Sequence, residues 1–255
     1  MIPLSIKRRS AAWYFQGLSR LGITERHRRI ACGSQMCLET GDLLSQRVAC
    51  EEAFEPLVRK TFCEIAGRGV NVIDVGANIG YYTLLAANCI GASGRVYAFE
   101  PQPHVARNLR RNIQLNRLTN AIVFEVALSD REGQAEFYLP VDGMESHGSL
   151  AENGRFQVKA RVSVATRPLD AVLAEHGHPK IGLVKMDAEG AELNIFRGAS
   201  KLLTSPGRPS IIFEANEDNA RAFGHTVFQL LSFIHGYGYH LKQLDSEDWL
   251  ATPSL

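Results

Sequence analysis

The residues best suited to chemistry lie in one short stretch, Asp74-Val75-Gly76-Ala77-Asn78-Ile79-Gly80. An apolar, β-branched run from Val70 to Val75 leads into it, and Leu84-Leu85-Ala86-Ala87 follows. That order predicts a buried strand, a tight glycine loop and a helix. In an open α/β sheet such a loop lies at the carboxyl end of a strand, where ligands bind. Gly76 and Gly80 are expected to let the backbone come close to a ligand, with loop amides and the helix N-terminus as donors. The spacing is G-x-x-x-G, whereas a dinucleotide fingerprint is G-x-G-x-x-G. Glycines that only pack a βα turn are the competing account, because a glycine motif alone is a weak signal.

Carboxylates close several later strands. Glu100 ends the run Arg95-Val96-Tyr97-Ala98-Phe99, where an acid can accept hydrogen bonds from both hydroxyls of a nucleoside ribose. An exposed strand-end glutamate is the plain alternative. Asp187 and Glu189 follow Val184-Lys185-Met186. Either could take a proton from a hydroxyl nucleophile, but acids are also favoured at helix starts. One of the two is expected to cap the next helix and the other to face substrate. Glu214 and Asn216 follow the next strand and could join Asp187 in an oxygen site for Mg²⁺. Spacing is the sole support for that, and no metal ligand is assigned. His147, in the polar loop Ser146 to Leu150, is the third candidate base after Asp187 and Glu189; an ordinary surface histidine is the alternative. No strand-linked G-x-S-x-G, H-E-x-x-H or P-loop occurs.

The elements that must position these groups alternate from Val70 onward, as in a parallel sheet. Strands are predicted at Val70 to Val75, Arg95 to Glu100, Ala121 to Val126, Gly182 to Met186 and Ser210 to Phe213. Helices are predicted at Tyr81 to Ala87, His104 to Asn116, Pro168 to Glu175, Ala191 to Leu203 and Thr226 to His235. Late strands are expected at Tyr239 to Gln243 and Trp249-Leu250. The rhythm breaks at Glu136 to Leu139 and Phe156 to Val164, two strands of an antiparallel insertion with glycine- and asparagine-rich turns between them. Upstream, Ser10 to Arg20 is a candidate helix. Met36 to Asp42 reads as one arm of a hairpin turning at Gly41-Asp42. Glu51 to Ala66 is helical by its apolar spacing, with Pro56 in the first turn. Residues 1–60 are taken as an N-terminal cap and 61–255 as the main domain.

Composition excludes some classes. The chain has 255 residues, 45% hydrophobic and 22% charged, with a net charge of +1. That is ordinary globular composition, without the basic excess of a nucleic-acid or membrane-surface binder. Basic clusters at Lys7-Arg8-Arg9 and Arg26-His27-Arg28-Arg29 read as solvated surface. The five cysteines include no C-x-x-C pair, which points away from zinc and toward reduced, cytoplasmic thiols. The longest early apolar run, Ala11 to Phe15, is too short for a signal or a span.

The acid-plus-glycine loop resembles motif I of the class I S-adenosylmethionine (SAM) methyltransferases. Five blocks together resemble the FkbM-type methyltransferases. They are Phe54-Glu55-Pro56; Val72 to Thr83; Tyr97-Ala98-Phe99-Glu100-Pro101; Ala127-Leu128-Ser129-Asp130-Arg131-Glu132-Gly133; and Val184 to Glu192 running on to Phe196-Arg197-Gly198-Ala199. The resemblance implies a Rossmann-like class I fold, with a mostly parallel central sheet and helices on both faces. It also implies SAM as methyl donor and O-methylation of a hydroxyl on a sugar, glycan, glycolipid or polyketide-type metabolite. Carried onto this chain, Asp74, Gly76, Ala77, Asn78 and Gly80 would shape the methionine side of the SAM site, and Glu100 with Pro101 the ribose side. Where many class I enzymes place an adenine-binding aspartate this chain has Ala127-Leu128. Adenine contacts would then come from backbone groups there, or from Ser129 or Asp130. The rival readings are an NAD-dependent oxidoreductase and an inactive binding module of the same fold.

Overall fold

A computed structural model describes residues 13–15, 17–49, 54–91, 94–141, 148–152 and 157–254. Strands β1 (Glu25–Arg29) and β2 (Gln35–Glu39) pair antiparallel, with His27 opposite Cys37. This hairpin turns at Ile30 to Ser34, where Gly33 has φ +84, and not at Gly41-Asp42 as expected. Asp42 instead accepts a hydrogen bond from the Ser45 amide at 2.7 Å, which sends the chain into helix α1 (Leu43–Ala49). Helix α2 (Pro56–Ala66) follows with Pro56 in its first turn, where a missing N–H costs nothing. Part of the predicted Ser10 to Arg20 helix lies outside the described residues.

The alternation then runs as read, through β3 (Asn71–Val75), α3 (Tyr81–Ile90), β4 (Val96–Phe99), α4 (Pro103–Leu115) and β5 (Ala121–Phe124). The insertion follows, with β6 (Ala127–Leu128), β7 (Gly133–Pro140) and β8 (Val158–Arg167). Strand β8 is central in this small sheet, antiparallel to β7 and parallel to β6. Helix α5 (Leu169–Glu175) returns the chain to β9 (Ile181–Met186).

Two differences follow. The single helix expected over Ala191 to Leu203 is two, α6 (Glu192–Arg197) and α7 (Ser200–Thr204). The break falls at Gly198, where a Cβ would lie 2.1 Å from the Ser129 carbonyl oxygen; the chain must pass there without a side chain. After β10 (Ser210–Glu214) comes an unforeseen helix, α8 (Glu217–Ala222). Its signal was present, since Asn216 caps the amides of Asp218 and Asn219 as asparagine at an N-cap does. Helix α9 (Val227–Gly236), opened by a Thr226–Gln229 capping box, leads to β11 (Tyr239–Gln243) and β12 (Asp248–Pro253).

The main sheet has seven strands in the order β11-β12-β10-β9-β3-β4-β5. Strand β12 alone is reversed, inserted antiparallel between β10 and β11. Successive strand residues feed opposite faces. Ile73, Tyr97, Val184 and Ile211 enter one core with α5 to α7 and α9. Val72, Val96, Leu183 and Ile212 enter a second with α2 and α3. That second core also holds Phe15, Ile30, Met36, Leu38, Val48 and Phe54, so the N-terminal segment is packed onto the sheet. Asn112, fully buried on α4, accepts from the Cys37 amide at 2.8 Å and donates to the Ile79 carbonyl at 2.9 Å. It ties the hairpin to the glycine loop. Among the described residues no helix is long and apolar enough to cross a membrane.

Candidate active site

Strand order reverses direction at β3, with β4 on one side and β9 on the other. The loops after β3 and β9 therefore face each other across a crevice. Gly76 has φ +71, and a Cβ there would lie 1.8 Å from the Asp187 carbonyl oxygen; one at Gly80, φ +98, would lie 2.5 Å from Leu109 Cδ1. At both positions protein atoms fill the space a side chain would need, so these glycines let the loop approach the β9 end and helix α4. Asn78 is left-handed at φ +49, and its amide points away to Glu100.

Glu100 is 3% exposed. Its two carboxylate oxygens accept from the amides of Asn78 at 3.0 Å and Gln102 at 2.9 Å. Burial pushes its pKa up to about 7, with the two amides pulling the other way. Asp74 is also buried and accepts from the Thr83 hydroxyl at 2.5 Å; burial raises it to about 6 against the pull of that hydroxyl and of Lys185.

Two cavities meet at the Gly76–Asn78 loop. The first, of about 540 Å³, lies over β3 and β4 and is lined by Gly76, Asn78, Glu100, Pro101, Ala127 and Leu128. Its remaining walls include Val126, Phe137, Leu150 and Ile195, none of them foreseen; Phe137 and Leu150 come from the insertion, whose packing no local pattern announced. Ser129 does not line this cleft. Its amide donates to Arg167 and its hydroxyl to Asp130. The second cavity, of about 1330 Å³, lies over β3, β9 and β10 and is lined by Asp74, Ala77, Tyr82, Lys185, Glu214 and Asp248 among others. Gly76, Asn78, Asp187 and Glu189 line both.

Neither Asp187 nor Glu189 caps the helix that follows, contrary to expectation. Glu192 holds this turn, its Oε1 accepting from the amides of Ala188 at 2.9 Å and Gly190 at 3.4 Å. Burial raises Glu192 to about 7 against those amides. The Asp187 side chain is 43% exposed. Glu189, left-handed at φ +50, accepts from the Asn219 amide nitrogen at 2.9 Å, which Glu214 shares at 3.3 Å. Burial, then Asp187, Glu189 and Glu192, push Glu214 well above the carboxylate range.

Lys185 was not singled out from sequence, although a lysine inside an apolar strand is itself a signal. It is 1% exposed, with Nζ 3.7 Å from Asp187 Oδ2, 3.8 Å from Asp248 Oδ1 and 5.3 Å above the Tyr82 ring. Burial lowers its pKa, but Asp187, Asp248, Glu55 and Glu214 outweigh that and raise it. Tyr82 in turn donates to Glu55 at 2.7 Å.

The Mg²⁺ site considered from spacing loses one member, because Asn216 accepts helix amides and donates to Glu247. Among the described residues, the only group of three or more His, Cys, Asp or Glu side chains with ligand atoms within 4.8 Å of one another is Glu25, His27 and Cys37 on the hairpin; Arg111 occupies Glu25 at 2.5 Å. His147 lies outside the described residues.

The strand order, with one reversed strand, and a cleft at the β3 and β4 ends define a class I methyltransferase fold. An O-methyltransferase from Bacillus cereus in complex with S-adenosylhomocysteine (SAH) shares it, with a TM-score of 0.50 at 15% identity over 82% of this chain and 86% of that one. The family model of the methyltransferase FkbM domain matches residues 74–241, and the chain belongs to that family. Its relatives include the 2-O-methyltransferase NoeI of Sinorhizobium fredii, 30% identical over 52% of this chain and 58% of NoeI. Another is the hexuronic acid methyltransferase AglP of Haloferax volcanii, 29% identical over 52% of this chain and 51% of AglP. The matched region spans a little over half of each relative.

Proposed function

We propose that the protein is a SAM-dependent methyltransferase acting on a hydroxyl of a sugar, glycan, glycolipid or polyketide-type acceptor. One observation carries this: an apolar cleft with a buried carboxylate and a wide acidic cavity meet at Asp187 and Glu189. The fit to SAM is chemical. Glu100 keeps lone pairs beyond the two amides it accepts, enough for ribose hydroxyls. Val126, Leu128, Phe137 and Leu150 offer apolar walls to a purine. The loop amides of Gly76, Ala77 and Asn78, expected as donors, are taken by the Phe99 carbonyl and by Glu100, so the acids beside the loop, Asp74, Asp187 and Glu189, would hold the methionine end.

When bound, SAM supplies a methyl group already activated on sulfur. The chain's task is to place the acceptor oxygen in line and to exclude competing nucleophiles. Asp187, at the junction of the cavities, would take the hydroxyl proton when the methyl group is transferred to the acceptor oxygen. Glu189 stands beside it as second candidate base and His147 as third. The name 2-O-methyltransferase of one relative, and the sugar acid in the name of another, support a hydroxyl on a carbohydrate-like acceptor.

The test is titration calorimetry with SAM, SAH and NAD side by side. SAM and SAH are expected to bind and NAD not. Binding of NAD alone would reverse the reading. Binding of SAM with no transfer across a panel of sugars, glycolipids and macrolide-like alcohols would favour the inactive module.

A further inference from the structure

Residues 1–30 hold seven Lys or Arg and one Glu, a net charge of +6, so the rest of a chain that totals +1 carries −5. Overall composition conceals this asymmetry, which points to an anionic partner. The one acid, Glu25, is held by Arg111 of α4 at 2.5 Å. Arg20, Arg26, Arg28 and Arg29 are all exposed. Arg26 donates to the Tyr14 hydroxyl at 3.1 Å and Arg29 to the Gly33 carbonyl at 2.8 Å. Neither partner is charged. Lys7-Arg8-Arg9 lies outside the described residues and enters by its charge alone.

Exposed apolar side chains gather in the same stretch. Of the seven large ones exposed among the described residues, Trp13 (78%), Tyr14, Leu21 (77%) and Ile23 fall between positions 13 and 23. Phe15 and Leu18 are the buried members of this helical segment, and Phe15 belongs to the second core. They anchor the segment and leave Trp13, Tyr14 and Leu21 outward. The Tyr14–Arg26 hydrogen bond sets it beside β1, so cationic and apolar groups stand together.

That mixture chooses between anionic partners. A nucleic acid would use the arginines and stack on the aromatic rings, but Leu21 and Ile23 have no ring to offer. A lipid surface uses all of them. Guanidinium groups meet phosphates, Trp and Tyr sit at headgroup level, and aliphatic side chains enter the acyl boundary.

We propose that this N-terminal surface docks on an anionic lipid bilayer, lying on it without crossing it. The basic clusters read from sequence as solvated surface are then part of a contact. The proposal goes beyond the methyltransferase reading and does not depend on it.

The experiment is co-sedimentation of the full chain with vesicles of phosphatidylcholine, alone or with about 30% phosphatidylglycerol. Binding to the anionic vesicles is expected to be at least about tenfold tighter than to the neutral ones, and to weaken as NaCl rises from about 0.05 to about 0.5 M. Arg26→Gln with Arg28→Gln should cost about tenfold or more. Trp13→Ser with Leu21→Ser should cost at least about tenfold with Tm unchanged, because both side chains are exposed and support no core. Brominated lipid should quench the wild type and not Trp13→Phe, whose remaining Trp249 packs against the first core. No binding to the anionic vesicles, binding without quenching of Trp13, or full binding by either double variant would overturn the proposal. So would a dimer that Trp13→Ser with Leu21→Ser dissolves, or DNA bound as tightly as the vesicles.

Discussion

Glu100 shows how one side chain can serve fold and site together. Its carboxylate closes the amides of Asn78 and Gln102, and the same group lines the cleft. Glu100→Ala should weaken SAH binding by about 2–4 kcal/mol, from two lost hydrogen bonds to a charged group. It should also cost about 1–3 kcal/mol of stability through the amides left unpaired. Calorimetry and urea unfolding read these separately, and an affinity change below about 0.5 kcal/mol would mean ribose is held elsewhere. Asp187 and Glu192 divide differently. Asp187→Asn is expected to lower turnover with SAH affinity nearly unchanged. Glu192→Ala, which strips the acceptor from Ala188 and Gly190, should lower stability by about 1–3 kcal/mol. Full turnover in Asp187→Asn would pass the base role to Glu189 and then His147.

The glycine loop works as an element because three chain segments converge on it. Its two glycines differ in what blocks a side chain, so a graded series is expected. Gly91, φ +67 and ψ −167, has nothing within 4 Å of a Cβ, and Gly91→Ala should cost only the backbone strain of that glycine-only region, about 1–3 kcal/mol. Gly80→Ala, in the milder left-handed region, meets the end of Leu109, which can turn aside, and should cost a similar amount. Gly76→Ala drives a Cβ into the Asp187 carbonyl, backbone held by the Asp187 amide bond to Val75 at 3.0 Å. It should cost most and disrupt the fold around the site as well as the ligand. Thermal melting of the three variants measures the order; Gly76→Ala as mild as Gly91→Ala would contradict this account of the loop.

Over the whole molecule, the carboxyl ends of the strands gather more negative charge than the fold alone would favour. Glu100, Glu192 and Asp248 rise to about 7, and Asp74 to about 6, with burial the first cause in each. Between their unfolded values near 4 and these folded values, the native state holds more protons than the unfolded one. Stability therefore falls as pH rises through that window. For Glu100 alone the change is of order 3 kcal/mol. Urea unfolding of the ligand-free protein should give a higher unfolding free energy near pH 5 than near pH 8. A rise over that range would mean these groups are ionised at little cost. SAH at about 100 times its Kd should add about 2.7 kcal/mol.

Much of this was legible in the chain itself. Short β-branched runs ending on Asp74, Glu100 and Asp187 announce parallel strands with acids at their carboxyl ends, because burial on both faces selects such residues. The five blocks pointed to the FkbM family, and the strand order follows from that architecture. What needed the tertiary structure was everything decided by partners distant in sequence. Gly76 and Gly198 are glycines because of Asp187 and Ser129, over a hundred and about seventy residues away. The hairpin turn, the split at Gly198 and the walls given by Phe137 and Leu150 depend on packing that no local period encodes. The role first given to Asp187 or Glu189 as a cap belongs to Glu192, since only the folded turn shows which carboxylate reaches the amides. Above all, the acidic cavity gathers residues from Arg47 to Asp248. Acidic residues spread along the chain become a local excess only when β3, β9, β10 and β12 bring them to one place.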